Sequence, residues 1–410
     1  MRILLINHYA GSVRHGMEYR PYYLAREWVR LGHVVQIVAA SQSHVRSVQP
    51  AVPGGATRET VDGVDYLWLK TPAYRGNGVG RVANIAWFCA RLVLNAGRLA
   101  REFRPDVVVA SSTYPMDIWP ARRIARAAGA KLVHEVHDLW PLSPIELGGM
   151  SPRHPFIRLC QAAQDFACRR ADIVVSMLPR VHEHLRAHGL DLRKLHIVPN
   201  GVALDEWQRD PPPLAPELAA QLATLKRSGR TIVGYAGSHG LPNALDVLLD
   251  AAALMKDEPI GFVLVGDGHE KSRLEKRVRD EGLDRVVMLA PVAKAQIPAL
   301  LATFDIAYIG WQRVPIYRFG IAPNKLMDYM MAGRAVLHSV EAGNDAVAEA
   351  GCGLTVAPES AVAVADGLRA LAALTPAARA AMGERGRAFV VANHSYRVLA
   401  QHFIDAVSPP

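Results

Sequence analysis

The stretch Phe319-Gly-Ile-Ala-Pro-Asn-Lys-Leu-Met-Asp-Tyr-Met-Met-Ala-Gly-Arg-Ala-Val336 predicts a loop that leads into a short helix. Pro323 suits the first helical position, and Gly333 suits the position just past the helix end. Lys325 lies in the first turn, where a cation opposes the helix dipole, so a bound anion would explain it. The stretch therefore predicts a phosphate site. The alternative is a surface helix on which Lys325 and Asp328 are both solvated.

The size of the chain predicts two domains, because 410 residues exceed one compact core. Half of the residues are hydrophobic and 21% are charged, so both domains can bury a core. The four cysteines have irregular spacing and form neither a metal pair nor a disulfide framework, which fits a reducing cytoplasm. The apolar run Arg2–Ile6 is too short for a signal peptide, and no run reaches about 18 residues. We therefore expect a cytoplasmic chain without a membrane span.

Charge is divided unequally along the chain. Residues 1–200 hold 26 Lys and Arg against 15 Asp and Glu, a net charge of +11, whereas residues 201–410 hold 21 against 23. A basic half is typical of proteins that meet nucleic acid, an anionic membrane or a phosphorylated substrate. No Lys/Arg tract with stacking aromatic residues supports nucleic acid, so we expect none as a partner.

Strand-like and helical patterns alternate to about residue 390, which predicts an α/β fold with parallel sheets. The first half opens with a strand at Arg2–Ile6, followed by a loop in which Gly16 would let the backbone approach a ligand. The alternation restarts at Thr231–Tyr235, after a predicted linker at Asp205–Pro216. We expect domains at 1–200 and 201–389.

A helix predicted at residues 81–104 has two distinct faces. One face is an apolar stripe formed by Ile85, Phe88, Leu92, Ala96, Leu99 and Phe103. The other face carries Trp87, Arg91, Leu94, Arg98 and Arg101. Aromatic and apolar residues among arginines are typical of a helix at a membrane surface, and the alternative is a solvated basic face.

His137 is a candidate ligand-contacting residue because it follows a predicted parallel strand at its carboxyl end. The alternative is a structural histidine. His134 and His137 are three residues apart rather than four, so the zinc-protease pattern is not present. We predict no metal site.

Four motifs together carry a family resemblance: Gly266-Asp-Gly268, Asp305-Ile-Ala, Pro199-Asn-Gly201 and the Pro323-Asn-Lys-Leu string. With them, the chain resembles the retaining glycosyltransferases of family 4. It is most similar to the bacterial O-antigen and capsule branch, which includes fucosamine-transferase-like enzymes. The resemblance implies a GT-B fold, in which two Rossmann-like domains with parallel sheets face a cleft. A helix at about 390–410 would cross back to the N-terminal, acceptor domain, and the C-terminal domain would hold the donor.

The same resemblance implies roles for individual residues. Asp328 matches the carboxylate that holds the ribose, whereas the leading glutamate of that motif is missing. Strict spacing puts Gly320 in its place, and anchoring on the aromatic-Gly pair puts Tyr317 there. Relatives commonly grip the diphosphate with Arg and Lys after the first strand of this domain, where this chain has other residues. We therefore expect Lys325 to neutralise the diphosphate, helped by Arg318 and by backbone N–H groups of the 320–324 loop. The residues predicted to be catalytic are His137 and Lys325. Those predicted to bind the donor are Gly16, Gly237, Ser238, His239, Asn243, Gly266, Asp267, Gly268, Pro291, Val292, Arg318, Gly320, Ile321, Ala322, Pro323, Asn324 and Asp328.

The predicted function is transfer of a sugar from a nucleoside diphosphate sugar to a lipid-linked or saccharide acceptor. The resemblance favours a UDP-linked N-acetylhexosamine or a deoxy derivative as donor, with retention of anomeric configuration. The sequence has no Asp-x-Asp motif, so we expect a reaction without a metal or other cofactor. The basic N-terminal half and the side of the predicted helix that carries Trp87 predict peripheral contact with the inner leaflet of the cytoplasmic membrane. The alternatives are a UDP-sugar 2-epimerase of the same fold and a non-catalytic sugar-nucleotide-binding relative.

Overall fold

The computed structural model describes residues 1–76 and 78–408. These residues form two compact units. The first contains Met1–Asn200 together with the residues from Tyr396 onward, and the second contains Gly201–Ser395.

The first unit alternates strands and helices from its first residues. Its strands are β1 (Arg2–Ile6), β2 (Val34–Ala40), β3 (Ala56–Val61), β4 (Val64–Leu69), β5 (Val107–Ala110), β6 (Lys131–Val136), β7 (Ile173–Ser176) and β8 (Leu195–Ile197). Its helices before residue 200 are α1 (Arg20–Arg30), α2 (Val79–Phe103), α3 (Ile118–Ala128), α4 (Leu142–Glu146), α5 (Pro155–Arg170) and α6 (His182–Ala187).

The strands of this unit form one sheet in the order β3-β4-β2-β1-β5-β6-β7-β8 across the part of the chain that the structure describes. All neighbours are parallel except β3 and β4. The strand order reverses between β1 and β5, and in such sheets ligands bind beyond the carboxyl ends of the strands at this reversal. The loops after β1, β5 and β6 therefore occupy the position of a binding site.

The antiparallel hairpin of β3 and β4 was not among the elements predicted from sequence. Its turn is Asp62-Gly63, and both residues have positive φ, +50° and +80°. Such a two-residue turn matches the twist of antiparallel strands, and Asp-Gly is one of its preferred sequences. The hairpin adds an edge to an otherwise parallel sheet.

The second unit repeats the alternation with parallel strands alone. Its strands are β9 (Thr231–Ala236), β10 (Ile260–Val265), β11 (Val286–Leu289), β12 (Ile306–Gly310), β13 (Ala335–Ser339) and β14 (Gly353–Val356). Its helices are α7 (Leu204–Trp207), α8 (Pro216–Arg227), α9 (Leu245–Leu254), α10 (Lys271–Asp280), α11 (Ile297–Leu301), α12 (Asn324–Met331), α13 (Ala346–Ala350), α14 (Ala361–Ala373) and α15 (Pro376–Asn393). The sheet order is β11-β10-β9-β12-β13-β14, so its strand order reverses between β9 and β12.

The predicted linker at 205–216 is wrong, because this segment is part of the second unit. Leu204, Trp207 and Leu214 pack against the unit's hydrophobic core. Val202 pairs with Ser395 in a single β-bridge, and its N–H donates to the carbonyl of His394 at 2.8 Å. Burial of these apolar side chains favours the packed arrangement over a free linker.

The last helix, α16 (Tyr396–Val407), belongs to the first unit and packs along α1. The ring of Phe403 lies 4.8 Å from that of Trp28, and the rings of Tyr23 and Tyr396 stack at 4.9 Å. The returning helix was predicted from about residue 390, but residues 390–393 continue α15 in the second unit. The last two residues of the predicted range lie outside the described chain.

No single helix of the described residues has both the length and the apolar composition needed to cross a membrane. The consecutive helices α14 and α15 reach that length and apolar composition only when they are taken together, and the chain bends by 110° at the break between them.

Candidate functional site

Lys325 lies at the strand reversal of the second sheet. It is the second residue of α12, and its Nζ donates to the hydroxyl of Tyr235 at 2.8 Å and to Oδ1 of Asn243 at 2.7 Å. The ammonium lies 4.4 Å from the centre of the Tyr235 ring and 5.9 Å from that of Trp311. Among the described residues, no carboxylate lies within ion-pair distance of this Nζ. Neutral oxygens and ring faces therefore hold the cation in place.

The surroundings of Lys325 leave its charge available to a ligand. Burial lowers the pKa of Lys325 to about 7, so its proton is held weakly near neutral pH. A bound anion would favour the charged form and restore the proton. The N-cap residue of α12 is Pro323, and no side chain caps the helix. The first-turn N–H groups of α12 therefore lie at the same helix end as a cation without a carboxylate partner.

Beside this lysine, six of the predicted donor-binding residues line one open concavity of about 280 Å³. A Cβ atom on Gly237 would lie 2.6 Å from Cε of Lys325, so glycine here lets the lysine reach the edge of the concavity. Ile297 and Leu300 of α11 add an apolar wall. The six residues that the structure brings together are Gly237, Ser238, Gly266, Asp267, Pro291 and Val292.

The loop after β9 holds Lys325 through hydrogen bonds rather than through charge. The Tyr235 hydroxyl donates to the carbonyl of Ser238 at 2.6 Å, and Nδ2 of Asn243 donates to the same oxygen at 3.0 Å. Tyr235 was not predicted, because its contact with Lys325 joins positions 90 residues apart. The only sequence signal was an aromatic residue near the end of a strand.

His239 does not supply a cation to this site. Its side chain is fully buried, and neither ring nitrogen has a hydrogen-bond partner in the described chain. Burial, together with the charge of Lys271, lowers the pKa of His239 to about 4, so the ring is neutral at pH 7. A Cβ on Gly268 would lie 2.4 Å from the His239 carbonyl oxygen, so His239 and Gly268 pack the two loops together. The structure therefore gives His239 a packing position rather than an exposed one.

Asp328 is half-buried on α12, one turn after Lys325. Burial raises the pKa of Asp328 to about 7, although the charge of Lys294 opposes this rise and that of Glu206 adds to it. Lys294 and Glu206 form an ion pair with each other. Asp328 is thus a carboxyl group whose ionisation a hydrogen-bonding ligand could change.

The loop before α12 is shaped differently from the predicted anion-binding loop. Gly320 has φ +97° and ψ 169°, a conformation that essentially only glycine adopts. Its N–H donates to the carbonyl of Tyr317 at 2.9 Å, and the N–H of Ile321 donates to Oδ1 of Asn344 at 2.7 Å. These two N–H groups are engaged within the protein, so in this structure neither is free for the diphosphate that it was predicted to bind. Glycine stands at the place of the motif glutamate because the backbone requires it.

Four other predicted residues flank this loop. The guanidinium of Arg318 is exposed and lies 4.3 Å from the centre of the Phe319 ring. Ala322 and Pro323 are half-buried, and Asn324 is exposed as the first residue of α12. Pro323 is the N-cap with an extended ψ of 127°, not the first helical residue as predicted.

In the first unit, His137 follows β6 and lines a narrow recess of about 10 Å³ with Ser112, Thr113 and Trp140. Its Nε2 lies 2.9 Å from Oγ of Ser111 and 3.1 Å from Oε2 of Glu135. Glu135 is buried and forms an ion pair with buried Arg20 at 2.8 Å. Neither Arg20 nor Glu135 was predicted, since 115 residues separate them.

Gly16 is held by packing within the first unit. It forms isolated bridges with Ser12 and Arg46, and its φ is +90°. A Cβ at this position would lie 2.6 Å from Oγ of Ser47. Close approach of a protein loop therefore accounts for this glycine.

Helix α2 buries every residue of its predicted apolar stripe. On its other side, Trp87 is 52% and Leu94 is 81% exposed. Arg91 donates to the carbonyl of Gly55, and Arg98 lies 4.0 Å from Glu102, whereas Arg101 is exposed. The exposed face is thus more apolar than predicted. Beside the exposed Arg98 and Arg101, it carries Val79, Val82, Ala83, Ala86, Trp87, Ala90, Val93 and Leu94, and we call these eight apolar residues the outer face of α2.

The described residues contain no group of three or more His, Cys, Asp and Glu side chains arranged to hold a metal ion.

Two family models match the chain in sequence. A model described as glycosyl transferase 4-like domain matches residues 15–201, and one described as glycosyl transferases group 1 matches residues 230–373. Among curated proteins, WcaI of Escherichia coli (strain K12), named as a colanic acid biosynthesis glycosyl transferase, is 24% identical over 66% of this chain and 67% of its own length. WbjE of Pseudomonas aeruginosa, named as a glycosyltransferase, is 22% identical over 76% of each chain.

Solved structures share the fold over nearly the whole chain. Sucrose-phosphate synthase from Thermosynechococcus elongatus has a TM-score of 0.71 at 17% identity, covering 98% of this chain and 97% of that one. HepE from Anabaena, solved with UDP-glucose, has a TM-score of 0.63 at 16% identity, covering 98% of both chains.

Proposed function

We propose that this chain, which belongs to glycosyltransferase family 4 and has the GT-B fold, transfers a sugar from a UDP-linked donor to an acceptor of cell-surface polysaccharide synthesis. The observation that carries the proposal is Lys325, a cation without a carboxylate partner beside an open concavity. The name of WcaI supports the polysaccharide context, and the UDP-glucose bound by HepE supports the donor class.

Lys325 is proposed to neutralise the diphosphate as it leaves. The first-turn N–H groups of α12, from Asn324 onward, add hydrogen bonds to the same oxygens. The reaction would then need no metal ion, in keeping with the absence of an Asp-x-Asp motif in the sequence. Asp328 would accept hydrogen bonds from the ribose, and the loop at Pro291 and Val292 would contact the base.

His137 is proposed to contact the donor sugar, and the family resemblance favours transfer with retention of the anomeric configuration. NMR of the product linkage tests this, because an inverted linkage would contradict retention. His137 lines a narrow recess after β6, and its side chain is 8% exposed. The finer donor class, a UDP-N-acetylhexosamine or its deoxy derivative, rests on the same resemblance.

A thermal-shift panel of UDP, GDP, ADP and their sugar conjugates tests the donor proposal. A nucleotide sugar at a hundred times its Kd adds about 2.7 kcal/mol of stability, which the melting temperature reports. We expect stabilisation by UDP conjugates and its loss in Lys325→Met. Lys276→Met is the matched control, since Lys276 is an exposed lysine of the same unit, on α10. Equal stabilisation of wild type and Lys325→Met would contradict the proposed role.

Incubation with UDP-N-acetylglucosamine and no acceptor separates transfer from the other activities of this fold. A 2-epimerase would convert the sugar, whereas a transferase would leave it intact or hydrolyse it slowly. A binding protein without turnover would show the stabilisation but no consumption of the donor in the presence of any acceptor.

The outer face of α2 is proposed to rest on the anionic inner leaflet of the cytoplasmic membrane, where a lipid-linked acceptor would be presented. Trp87 and Leu94 would enter the interface, and exposed arginines such as Arg101 would meet lipid phosphates. Flotation with vesicles of phosphatidylglycerol tests this. We expect Trp87→Ser with Leu94→Ser to release the protein, whereas binding unchanged in this variant would contradict the proposal. Val362→Ser, an exposed apolar residue on α14 of the second unit, is the control.

A further inference from the structure

Arg20 occupies a position in the first unit that only an arginine can fill. It is the first residue of α1 and is 1% exposed. Its Nε and Nη2 donate to the same oxygen of Glu135, at 3.0 and 2.8 Å. Nη2 also donates to the carbonyl of Val198 at 2.8 Å, and Nη1 donates to that of Pro199. A lysine has no planar fork of donors and could not satisfy these partners together.

Glu135 connects this guanidinium to the imidazole of His137. Its Oε1 faces Arg20, and its Oε2 accepts from Oγ of Ser111 at 2.6 Å and lies 3.1 Å from Nε2 of His137. Burial disfavours the ionised carboxylate, but the charge of Arg20 and the hydrogen bonds from His137 and Ser111 outweigh it and hold the pKa of Glu135 well below its usual range. An ionised carboxylate has no proton to donate, so the hydrogen bond to His137 requires a proton on Nε2.

In the neutral imidazole of His137, the opposite ring nitrogen then carries a lone pair. No partner for Nδ1 is found among the residues that the structure describes. A histidine whose tautomer is set by a buried carboxylate presents its second nitrogen in one chemical state, here as a hydrogen-bond acceptor.

We infer that Arg20 and Glu135 are positioning residues, which fix His137 in the Nε2-protonated tautomer so that Nδ1 accepts a hydrogen bond from a hydroxyl of the bound sugar. The same guanidinium holds Val198 and Pro199, the last residues of the first unit before Asn200. The orientation of His137 is thereby tied to the segment through which the chain leaves this unit. The inference deepens the proposed function and rests on it for the identity of the ligand.

The histidine tautomer can be measured without substrate. In protein labelled with ¹⁵N-histidine, the signal lost in His137→Gln identifies this residue among the 16 histidines. We expect a proton on Nε2 and an unprotonated Nδ1 in the wild type. Arg20→Met combined with Glu135→Leu removes both charges, so neither remains buried alone, and we expect a mixture of the two tautomers. A proton on Nδ1 in the wild type, or an unchanged tautomer in the double variant, would overturn the inference.

Arg26→Met provides the matched control for loss of a buried arginine from α1. Arg26 is 7% exposed and lies over the rings of Tyr22 and Tyr23, away from the contacts of Glu135. The wild-type tautomer should persist in this variant. Loss of the tautomer here as well would point to general disturbance of the helix and would count against specific positioning.

A kinetic cycle then separates positioning from stability. With release of UDP from UDP-N-acetylglucosamine as the readout, the double variant should lower kcat about 10–100-fold. In a His137→Ala background the same two substitutions should have no further effect, because their action passes through the imidazole. An additive loss would overturn the inference. If the wild type releases no UDP without an acceptor, the tautomer measurement alone decides the role of Arg20 and Glu135, and the nucleotide-binding panel tests the proposed function separately.

Discussion

Lys325 and Asp328 have opposite charges, yet burial moves both of their pKa values to about 7. A diphosphate favours the protonated lysine, and ribose hydroxyls favour the ionised carboxylate. Near neutral pH, each residue of the unliganded protein is therefore divided between its charged and neutral forms. Binding of a nucleotide sugar would draw both into their charged forms.

The affinity for UDP-glucose should consequently be bell-shaped in pH, with its maximum near pH 7. Binding raises the pKa of Lys325, so the contribution of this residue to the affinity is complete below pH 7. Above pH 7 the affinity falls by up to about tenfold per pH unit. Binding lowers the pKa of Asp328, so the contribution of this residue to the affinity is complete above pH 7. Below pH 7 the affinity falls as the pH decreases. Calorimetric titration between pH 5.5 and 8.5 measures the profile.

Single substitutions assign the two limbs of this profile. Asp328→Asn should leave only the decline above pH 7, and Lys325→Met should leave only the decline below it. A profile that keeps both limbs in either variant would show that another group titrates.

Restoring the family glutamate at Gly320 should harm this chain. Gly320→Glu places a side chain at φ +97°, which costs about 1–3 kcal/mol of unfolding free energy. Urea denaturation measures the loss. Gly54→Glu is the control, since Gly54 is exposed with open space around its Cα, and it should change stability by less than about 0.5 kcal/mol. A Gly320→Glu protein as stable as the control would contradict the strain argument.

For single residues, the position relative to a strand was easier to predict from the sequence than the side chains that each residue contacts. The placement of His137 and Gly237 after strands follows from apolar runs and turn residues. The contacts of Lys325 with Tyr235, and of Arg20 with Glu135, join residues 90 and 115 positions apart. The burial of His239 likewise depends on a neighbouring loop, so its local sequence shows only a polar residue.

Helix α2 carries one buried and one exposed apolar stripe, and substitutions in the two should differ in their cost to the free energy of unfolding. Leu92 is fully buried, and Leu94 is 81% exposed. Leu92→Ala should cost about 2–5 kcal/mol of unfolding free energy through lost burial and a cavity. Leu94→Ala should stay within about 0.5 kcal/mol. Chemical denaturation of both variants, without lipid, compares them, and similar losses would show that Leu94 is packed in solution.

The elements of the fold were largely predictable, and the exceptions have local causes. Alternation of apolar runs and helical periods identified most parallel strands, because their burial on both faces leaves a strong signal. The hairpin of β3 and β4 was missed even though Asp62-Gly63 is a turn sequence, since its strands mix polar and apolar residues at a sheet edge. The segment at 204–214 was misjudged because its prolines obscured the apolar residues that pack.

At the scale of the whole molecule, α16 makes the first unit discontinuous in sequence. Phe403 is fully buried against Trp28, whereas the neighbouring His402 is exposed. Phe403→Ala should destabilise the first unit by about 3–5 kcal/mol, and His402→Ala should leave it nearly unchanged.

Hydrogen exchange followed by mass spectrometry reports this change unit by unit. Peptides from residues 1–200 should exchange faster in Phe403→Ala, while peptides from 201–395 keep their wild-type rates. Faster exchange throughout both ranges would contradict the assignment of α16 to the first unit.

The packing of α16 on α1 also sets the order of events during synthesis. When residue 200 leaves the ribosome, Trp28 and Tyr23 have no Phe403 or Tyr396 to cover them. Translation of the intervening second unit takes about 10–40 s at bacterial and eukaryotic elongation rates. For that interval the nascent chain exposes on α1 aromatic side chains that are buried in the finished protein.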